Sequence, residues 1–338
     1  MTRESGRVLT VLLNYRTAEM TARSLKAARE AMRHVPGEII VVDNDSQDGS
    51  FEFLQNEIAK YSAEDGYPQI SAIQTGHNGG FGYGNNAGFH AGLSRGEFEF
   101  LYALNSDAFP AEDAISKLRE FMMNKGDVAI AGSELFGEDD QRHVAQFRFP
   151  SIFSEFEGAF SFGPVTRLLK RYQVPLFGLP EDHPTQVDWI AGASFMMRRE
   201  AAEDVGLFDE SYFLYFEETD LCLRTARAGW KTYYVPESRV KHIGSVSTGM
   251  RDWERAPKFW LDSRLYYFTK NHGAIYALAA TLARLLGGAL SHLRALVQPK
   301  KRRSQPKWYL WDIAKHHLRH LFKPTHSPKI PNAQQVAE

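Results

Sequence analysis

The first hundred residues alternate between short apolar runs and segments with helical periodicity, which limits the folds open to the chain. Apolar runs at 8–14, 38–42, 70–74 and 98–104 predict strands with helices between them, and 128–132 begins a further strand. Strands that are separated by helices pair in parallel as βαβ units. The sequence therefore predicts an α/β fold in which helices flank a mostly parallel sheet.

Polar and acidic clusters follow several of the apolar runs. These clusters are 43–46, 105–107, 217–220 and His242. In an open α/β sheet, residues at the carboxyl ends of strands face the crevice in which ligands bind. An acidic pocket that also holds a nucleotide diphosphate needs a divalent cation. The order of the clusters therefore indicates an enzyme that acts on a nucleotide-linked substrate.

The composition excludes several classes of protein. The chain has 338 residues, of which 43% are hydrophobic, so it can build a sizeable core and is not a disordered protein. The single cysteine, Cys222, excludes an internal disulfide framework and fits a reducing compartment. The run 8–13 is too short for a signal-peptide core, and no stretch reaches about 18 uninterrupted apolar residues. We therefore expect a cytoplasmic location.

The C-terminal part of the chain carries a concentrated positive charge. Nine lysines and arginines but one acid, Asp312, lie between 294 and 323, although the net charge of the chain is −1. The segment follows a long apolar stretch, 274–297, and contains several aromatic residues. This combination fits peripheral binding to an anionic membrane surface at the inner face of the cell membrane. A helical hairpin packed on the domain is the alternative, and no nucleic-acid motif accompanies the charge.

We expect a first domain over 1–250 and a helical, basic C-terminal extension over 251–338. The segment 137–187 lacks the clear strand or helix periodicity of the segments before and after it, and it is expected to be a partly ordered insertion. The segment 187–198 is again strand-like, and 231–235 predicts a strand that ends at Pro236.

The two earlier clusters have both a ligand-binding and a structural interpretation. Asp43 and Asp45 could accept hydrogen bonds from a base or a ribose, but aspartates are equally common in turns and helix caps. Asp107 could hold a Mg²⁺ or Mn²⁺ ion that bridges two phosphates. It could also cap a helix that begins at Pro110.

The third cluster places Glu217, Glu218 and Asp220 directly after the aromatic segment 212–216. A carboxylate with an apolar wall has a raised pKa and can act as a base. Acids in the first turn of a helix also stabilise its dipole, which is the structural alternative. His242 is a single histidine that gains interest as a metal ligand only beside the other clusters.

A glycine- and asparagine-rich segment, 76–88, is expected to be a loop as far as Asn86, followed by a short helix near 87–94. Its glycines would let the backbone approach a ligand closely, and its amides could face phosphate. Part of it, 82–87, matches the dinucleotide fingerprint of dehydrogenases. That match is weak, because the segment lies well past its strand and the asparagines are not explained by the motif.

Taken in order, the motifs resemble the inverting glycosyltransferases of family 2, which have the GT-A fold. The matching segments are 11–16, 41–50, 78–88, 104–107, 192–199, 206–210, 213–224 and His242. They cover roughly residues 7–250. The sequences Asn-Gly-Gly-Phe-Gly and Phe-Leu-Tyr-Phe-Glu look most like the rhamnosyltransferase branch, which uses dTDP-L-rhamnose.

The resemblance implies a role for the residues of the donor pocket. Asp43 and Asp45 would lie by the nucleoside, and Arg16 would approach the diphosphate. The other donor-binding residues that it implies are Asn14, Asn78, Gly79, Gly80, Asn85 and Asn105.

The resemblance also implies a metal site and a base. Asp107 matches the last acid of the acid-x-acid metal motif, whose first acid is Asn105 here, so the site has one charge fewer. His242 matches a late metal-ligating histidine. Glu218 falls where the family usually has its catalytic aspartate, with Glu217 and Asp220 as alternatives.

The expected activity follows from these roles. The protein would transfer a sugar from a nucleotide-diphosphate donor to a hydroxyl of a glycan or lipid-linked glycan, with a divalent cation as cofactor and inversion of the anomeric centre. A non-catalytic sugar-nucleotide or glycan-binding module with the same fold is the alternative, since Asn105 replaces an expected acid.

Overall fold

A computed structural model describes residues 6–61, 65–244, 253–297 and 306–320. The strands are β1 (Val8–Asn14), β2 (Gly37–Asp43), β3 (Gln69–Gln74), β4 (Phe100–Asn105), β5 (Ala108–Pro110), β6 (Val128–Phe136), β7 (Arg142–His143), β8 (Gln146–Phe147), β9 (Thr185–Val187), β10 (Trp189–Ile190), β11 (Ser194–Arg198) and β12 (Lys231–His242). The helices are α1 (Ala18–Ala31), α2 (Ser50–Ala59), α3 (Phe81–Leu93), α4 (Ala114–Met123), α5 (Ile152–Phe160), α6 (Gly163–Leu168), α7 (Arg199–Val205), α8 (Glu217–Arg227), α9 (Lys258–His272), α10 (Ala274–Val297) and α11 (Tyr309–His320).

The chain divides into two compact units that alternate along the sequence. The first comprises Met1–Phe147, Phe177–Glu210 and Glu217–Thr248, and the second comprises Arg148–Leu176, Ser211–Phe216 and Gly249–Glu338. The segment 137–187 thus contributes to both units, and it forms α5 and α6 as well as short strands. The expected division into 1–250 and 251–338 stays a prediction.

The first unit is built on a mixed sheet in the strand order β3-β2-β1-β4-β11-β6-β12-β5. Strands β1 to β4 are parallel, as predicted, whereas β11 runs antiparallel to both of its neighbours. The chain moves from β1 outward to β3 and then returns to β4 on the other side of β1, which creates a topological switch point. Ligands bind outside the carboxyl ends of strands at such a point. The α/β class is confirmed.

Helix α3 begins at Phe81, so the expectation of a loop through Asn86 is wrong. Three of its glycines, spaced four residues apart, lie on one face that packs on β1. A Cβ atom on Gly84 would lie 2.4 Å from Leu13 Cδ1, one on Gly88 2.7 Å from Val11 Cγ1, and one on Gly92 2.3 Å from Leu9 Cδ2. Close approach of helix to strand therefore explains these glycines, and it overrides their low helix propensity.

Replacing Gly88 by alanine is expected to lower the free energy of unfolding by about 1–3 kcal/mol. The new methyl group would lie 2.7 Å from both methyl groups of Val11. Because β-branched valine has few rotamers, α3 would have to move away from the sheet. Equilibrium denaturation in urea measures the loss.

The matched control is Gly158→Ala in α5, where no atom of the described residues lies within 4 Å of the added Cβ. This change is expected to be neutral or to stabilise by up to about 1 kcal/mol, because alanine favours helix more than glycine does. Equal stabilities of the two variants would contradict the packing explanation for Gly88.

Strand β12 runs to His242 instead of ending at Pro236. Its register on β6 shifts between Val235 and Arg239, so Pro236 lies in a β-bulge. Proline has no N–H group to donate, and at a bulge no strand-pairing hydrogen bond is lost. The continuation pairs His242 with Ala108 of β5. The bulge thus allows one strand to carry a histidine to the edge where β4 ends.

A row of buried hydroxyl groups crosses the sheet from β4 to β12. The Oη atom of Tyr102 lies 2.8 Å from Ser194 Oγ, which lies 2.6 Å from Ser133 Oγ. Ser133 lies 2.7 Å from Ser238 Oγ, which donates to the carbonyl oxygen of Ala114 at 2.8 Å. Every hydroxyl in the row therefore has a partner, as buried polar groups require.

In the second unit, helices α5, α9, α10 and α11 surround a buried ion cluster. Glu155 accepts hydrogen bonds from Nε of Arg264 at 3.0 Å and Nε of Arg284 at 2.7 Å. Burial alone would raise the pKa of Glu155, but the two guanidinium groups outweigh it and hold the pKa below its ordinary value. Thr281 Oγ1 links Arg264 to His317. The polar centre of this unit is thus internally paired.

Candidate active site

At the carboxyl end of β1, Asn14 holds the start of α1 and the end of β2 together. Its Nδ2 donates to Asp43 Oδ1 at 2.7 Å and to Ser46 Oγ at 3.1 Å. Its Oδ1 accepts from Thr21 Oγ1 at 2.7 Å and from the backbone N–H of Thr17 at 3.3 Å. The side chain has no exposed surface. Its observed contacts position Asp43, and a direct contact with the donor stays a prediction.

The two aspartates after β2 have different environments. Asp43 is buried, and its Oδ2 accepts from the backbone N–H of Ser46 at 3.1 Å and from Gln74 Nε2 at 3.0 Å. Asp45 is half-buried and adopts a left-handed backbone conformation with φ 60°. Arg16 is also left-handed, with φ 55°, and its Nε donates to the carbonyl oxygen of Ser46 at 3.2 Å. Asp45 is the more accessible of the two carboxylates.

The segment before α3 is shaped by asparagine hydrogen bonds. Asn78 Oδ1 accepts from Asn44 Nδ2 at 2.9 Å and from the backbone N–H of Gly80 at 3.0 Å. Gly80 has φ 94°, a conformation that favours glycine. A Cβ atom at Gly79 would lie 2.3 Å from the ring of Tyr83. These contacts fix the path of 78–80 at the start of α3.

Asn85 is fully buried, and its Nδ2 donates to the carbonyl oxygen of Phe81 at 3.0 Å. Its Oδ1 has no hydrogen-bond partner within the described part of the chain. Asn86, which the sequence did not single out, donates to the carbonyl oxygen of Phe208 and to Glu210 Oε1, both at 2.9 Å. Asn86 is therefore hydrogen-bonded within the protein, whereas the Oδ1 atom of Asn85 can accept a hydrogen bond from a ligand.

Asp107 and His242 lie next to each other, as a shared metal site requires, and their binding of a metal stays a prediction. Asp107 Oδ1 lies 3.2 Å from His242 Nε2, and both side chains are largely buried. The backbone supports the pair, because the N–H of Ile243 donates to the carbonyl oxygen of Asp107 at 3.1 Å. Strand β5 follows Asp107 and α4 begins at Ala114, so Asp107 is not a helix cap.

The Asp107–His242 pair fits a divalent cation. Bonds of about 2.0–2.2 Å from one ion to two neighbouring ligands at a right angle separate those ligand atoms by about 3 Å. A carboxylate oxygen with an imidazole nitrogen suits Mn²⁺, and Mg²⁺ with more water ligands. A second group of side chains that could hold a metal ion, Asp262, His316 and His320, lies in the second unit, with its ligand atoms within 4.8 Å of one another.

Helix α8 begins with the acidic cluster and follows a strained turn. Tyr215 and Phe216 both have positive φ angles, 67° and 72°, which bulky residues rarely adopt. Glu217 and Glu218 then open the helix, and each has an Oε2 atom that is buried without a partner among the described residues. Strained backbone and orphaned buried carboxylate oxygens are both typical of functional sites.

The three acids of this cluster have different roles in the structure. Asp220 is fully buried and pairs with Arg224 Nε at 2.8 Å, while Arg224 also donates to the carbonyl oxygen of Leu207 at 2.6 Å. Asp220 thus orients Arg224, which in turn binds the backbone of the segment after α7. Glu217 is nearly inaccessible, whereas Glu218 is half-buried. Glu218 is therefore the acid that best combines a buried oxygen with access to a substrate.

Burial raises the pKa of Glu218 to about 7, although backbone N–H groups of Glu218, Gly192 and Thr219 oppose that shift. Burial, reinforced by the charge of Glu218, raises the pKa of Glu217 well above its ordinary value. A carboxyl group that titrates near neutral pH is suited to general base catalysis.

The partner of Glu218, Gly192, lies in a break that the sequence did not reveal. The segment 187–198 contains the last residue of β9 and all of β10 and β11 rather than one strand, with 191–193 between β10 and β11. The carbonyl oxygen of Ala193 accepts from the backbone N–H of Asn105 at 3.1 Å. This short backbone segment therefore connects Glu218 to the end of β4, where the Asn105–Asp107 cluster lies.

Comparison with known proteins identifies the chain. Residues 8–206 match the sequence profile of Glycosyl transferase family 2, which is more than half of the 338 residues. The chain belongs to this family. It is a glycosyltransferase, which favours the enzyme over a non-catalytic module.

Two curated relatives are rhamnosyltransferases. N-acetylglucosaminyl-diphospho-decaprenol L-rhamnosyltransferase of Mycobacterium tuberculosis is 28% identical over 223 residues, covering 63% of this chain and 69% of the relative. Rhamnosyltransferase WbbL of Escherichia coli K12 is 28% identical over 169 residues, covering 48% of this chain and 60% of the relative. The family 2, rhamnosyltransferase-like resemblance is thereby confirmed.

Two solved glycosyltransferase structures share the fold. Mannosyltransferase PcManGT from Pyrobaculum calidifontis, solved with GDP-Man and Mn²⁺, aligns with a TM-score of 0.53 and 15% identity over 94% of this chain and 81% of that one. GalNAc-T7, solved with UDP, GalNAc and Mn²⁺, aligns with a TM-score of 0.53 and 16% identity over 93% of this chain and 57% of that one. At these identities the likeness concerns the fold, and it confirms the GT-A prediction.

Proposed function

We propose that this glycosyltransferase moves L-rhamnose from dTDP-L-rhamnose to a hydroxyl group of a lipid-linked glycan, with inversion at the anomeric carbon, in the synthesis of a cell-surface polysaccharide. One observation carries the proposal. Glu218, a half-buried carboxylate with a pKa near neutral, is linked through the backbone of 192–193 to the strand end that carries Asp107.

Glu218 is the group that takes the proton. Its carboxylate accepts the proton of the acceptor hydroxyl while that oxygen forms a bond to the anomeric carbon. The bond from the anomeric carbon to the diphosphate oxygen breaks in the same step, and the nucleoside diphosphate leaves. Attack from the face opposite the leaving group inverts the centre, so no covalent enzyme intermediate forms.

Residues that follow β1 and β2, together with one on α3, would hold the donor. Asp45 offers a half-buried carboxylate to the nucleoside, and Asn85 offers a buried carbonyl oxygen that lacks a partner among the described residues. Arg16 would supply positive charge to the diphosphate. Asp107 and His242 would hold a divalent cation, which supplies further positive charge to the departing diphosphate.

The choice of donor and acceptor follows the relatives. Both curated relatives are named as rhamnosyltransferases, and the mycobacterial name specifies an acceptor on diphospho-decaprenol. An acceptor of that chemical class is held in a membrane, which agrees with a peripheral location at its inner face. The basic segment 294–323 is part of this proposal, although 298–305 and 321–323 lie outside the described residues.

The donor assignment predicts a nucleotide-specific gain in thermal stability. In the presence of Mn²⁺, dTDP is expected to raise Tm more than UDP or GDP does. A nucleotide at a hundred times its Kd adds about 2.7 kcal/mol to the stability of the protein that binds it. Differential scanning fluorimetry with and without Mn²⁺ measures the effect. A larger shift with GDP would rule out dTDP-rhamnose, and transfer of labelled rhamnose to a polyprenyl-diphosphate glycan would complete the assignment.

A further inference from the structure

In α10 the apolar side chains lie on the opposite face from the one they occupy in an ordinary helix of a soluble protein. Its buried residues are small or polar: Ala277, Ala280, Thr281, Gly287 and Gly288. Its charged Arg284 also faces the interior of the second unit, where it pairs with Glu155. The side that a soluble helix would normally build from leucine is therefore built from alanine and glycine.

Most of the large apolar side chains of α10 lie on its exposed side. We call six of them the apolar stripe, with exposed fractions of 87% for Ile275, 37% for Leu278, 56% for Leu282, 57% for Leu286, 61% for Leu293 and 81% for Leu296. Their spacings of three, four and seven residues place them on one helical face. The helix has 24 residues and is about 36 Å long, and the stripe runs along most of it. A continuous apolar surface of this extent marks an interaction site.

The packing of α10 distinguishes lying on a bilayer from crossing it. By length and composition alone, α10 could span a membrane. Its inner face, however, packs on α5, α9 and α11 and holds Arg284 against Glu155. A span through lipid would bring this ion cluster into hydrocarbon, which is costly for charged groups. The geometry fits a helix that lies in the membrane plane with one face immersed.

The charge around the stripe favours anionic lipid over a second copy of the chain. Helix α11, which packs on α10 at Gly288, carries Lys315 and Arg319, and in the sequence α10 is soon followed by Lys-Lys-Arg-Arg at 300–303. Two copies that met through this region would bring like charges together, whereas lipid phosphates would attract them. Trp308 and Trp311 are 69% and 60% exposed, and tryptophan favours the membrane–water boundary.

We propose that the apolar stripe of α10 inserts into the boundary between headgroups and acyl chains of an anionic bilayer. This assigns membrane binding chiefly to 275–296, with the basic segment beyond it as a supporting contact. Membrane binding by the stripe stands independently of the proposed function. Only its purpose, which is to bring the enzyme to a lipid-linked acceptor, rests on that function.

Vesicle sedimentation of the full chain tests the proposal. With vesicles of phosphatidylcholine and phosphatidylglycerol, the double variant Leu286→Gln/Leu293→Gln is expected to bind at least tenfold more weakly, because burial of one leucine is worth about a factor of ten. The matched control is Leu168→Gln on α6, where the leucine is 80% exposed but lies outside the stripe. This control is expected to bind as the wild type does.

Because the altered leucines are exposed, the circular dichroism and Tm of the double variant should match those of the wild type. Unchanged vesicle binding by the double variant overturns the proposal. A second result would also overturn it: the wild type is a dimer and the double variant a monomer by light scattering, and the wild type does not sediment with vesicles. In that case the stripe would be a contact between two copies of the chain. Transfer to a short, water-soluble acceptor separates the two proposals, since the double variant should keep it. Vesicle binding without transfer to any acceptor would leave the stripe assigned and defeat the proposed function.

Discussion

Replacing Glu218 by glutamine is expected to lower kcat by about 10²–10⁴-fold, the usual contribution of a general base. Glutamine has nearly the same shape and can still accept the backbone N–H of Gly192, but its neutral amide cannot take a proton from the acceptor. Nucleotide binding should therefore survive. Single-turnover transfer measures the chemical step, and the nucleotide-dependent rise in Tm reports binding in the same preparation.

The pH dependence of the wild-type enzyme provides a second test of the same residue. Burial raises the pKa of Glu218 to about 7, so the carboxyl group is protonated and inactive below that value. The value of kcat should rise with pH through about 7 and level off above it. Because Glu217 is buried beside Glu218, the apparent pKa belongs to the pair.

Two neighbouring variants identify the base among the three acids. Glu217→Gln removes a buried carboxylate next to Glu218, and it should leave most of kcat intact. Asp220→Asn breaks the ion pair with Arg224, so its main effect should be a lower Tm. A greater loss of kcat in Glu217→Gln than in Glu218→Gln would transfer the role of base to Glu217.

Removal of divalent metal by a chelator is expected to abolish transfer. Asp107→Asn should lower kcat/KM by about 10²–10³-fold, which is the usual effect of losing one electrostatic contact. The asparagine keeps the shape of Asp107 but removes the charge that the site retains after Asn105 replaces the other acid. Because affinity for the ion falls, higher Mn²⁺ should restore part of the activity. A titration of transfer rate against Mn²⁺ measures both effects.

The matched control for the metal site is His316→Asn in the other histidine-containing cluster. That cluster lies in the second unit and has its own carboxylate, Asp262, whose Oδ1 is 2.7 Å from His316 Nε2. His316→Asn should leave the Mn²⁺ dependence of transfer unchanged, whereas His242→Asn should shift it to higher concentration. The reverse pattern would place the required ion in the second unit.

The parts of the fold that sequence predicted well are those encoded by local periodicity. The runs at 8–14 and 70–74 became β1 and β3 with no more than one residue of difference, because a buried parallel strand is a continuous apolar run bounded by turn residues. The early start of α3 was not predictable in this way. A helix rich in glycine has low intrinsic propensity, and it forms here because glycine lets it approach β1.

The site shows the same division between local and distant causes. The resemblance assigned Asp107 and His242 to one metal site, and the two side chains lie 3.2 Å apart because β12 continues to His242. The hydrogen bonds of Asn14 to Asp43 and Ser46 could not be predicted, because they join residues about 30 positions apart whose partners depend on strand register. Likewise, no local pattern showed that β12 would continue past Pro236.

The hydroxyl row between β4 and β12 can hold its protons in one arrangement. Ser238 uses its single proton on the carbonyl of Ala114, so Ser133 must donate to Ser238 and Ser194 must donate to Ser133. Tyr102 then begins the series. The row therefore depends on the register of β11, because Ser194 both accepts from Tyr102 and donates to Ser133. A shift of β11 that moved Ser194 out of the row would remove this partner of the buried Tyr102 hydroxyl, at a cost of about 1–3 kcal/mol.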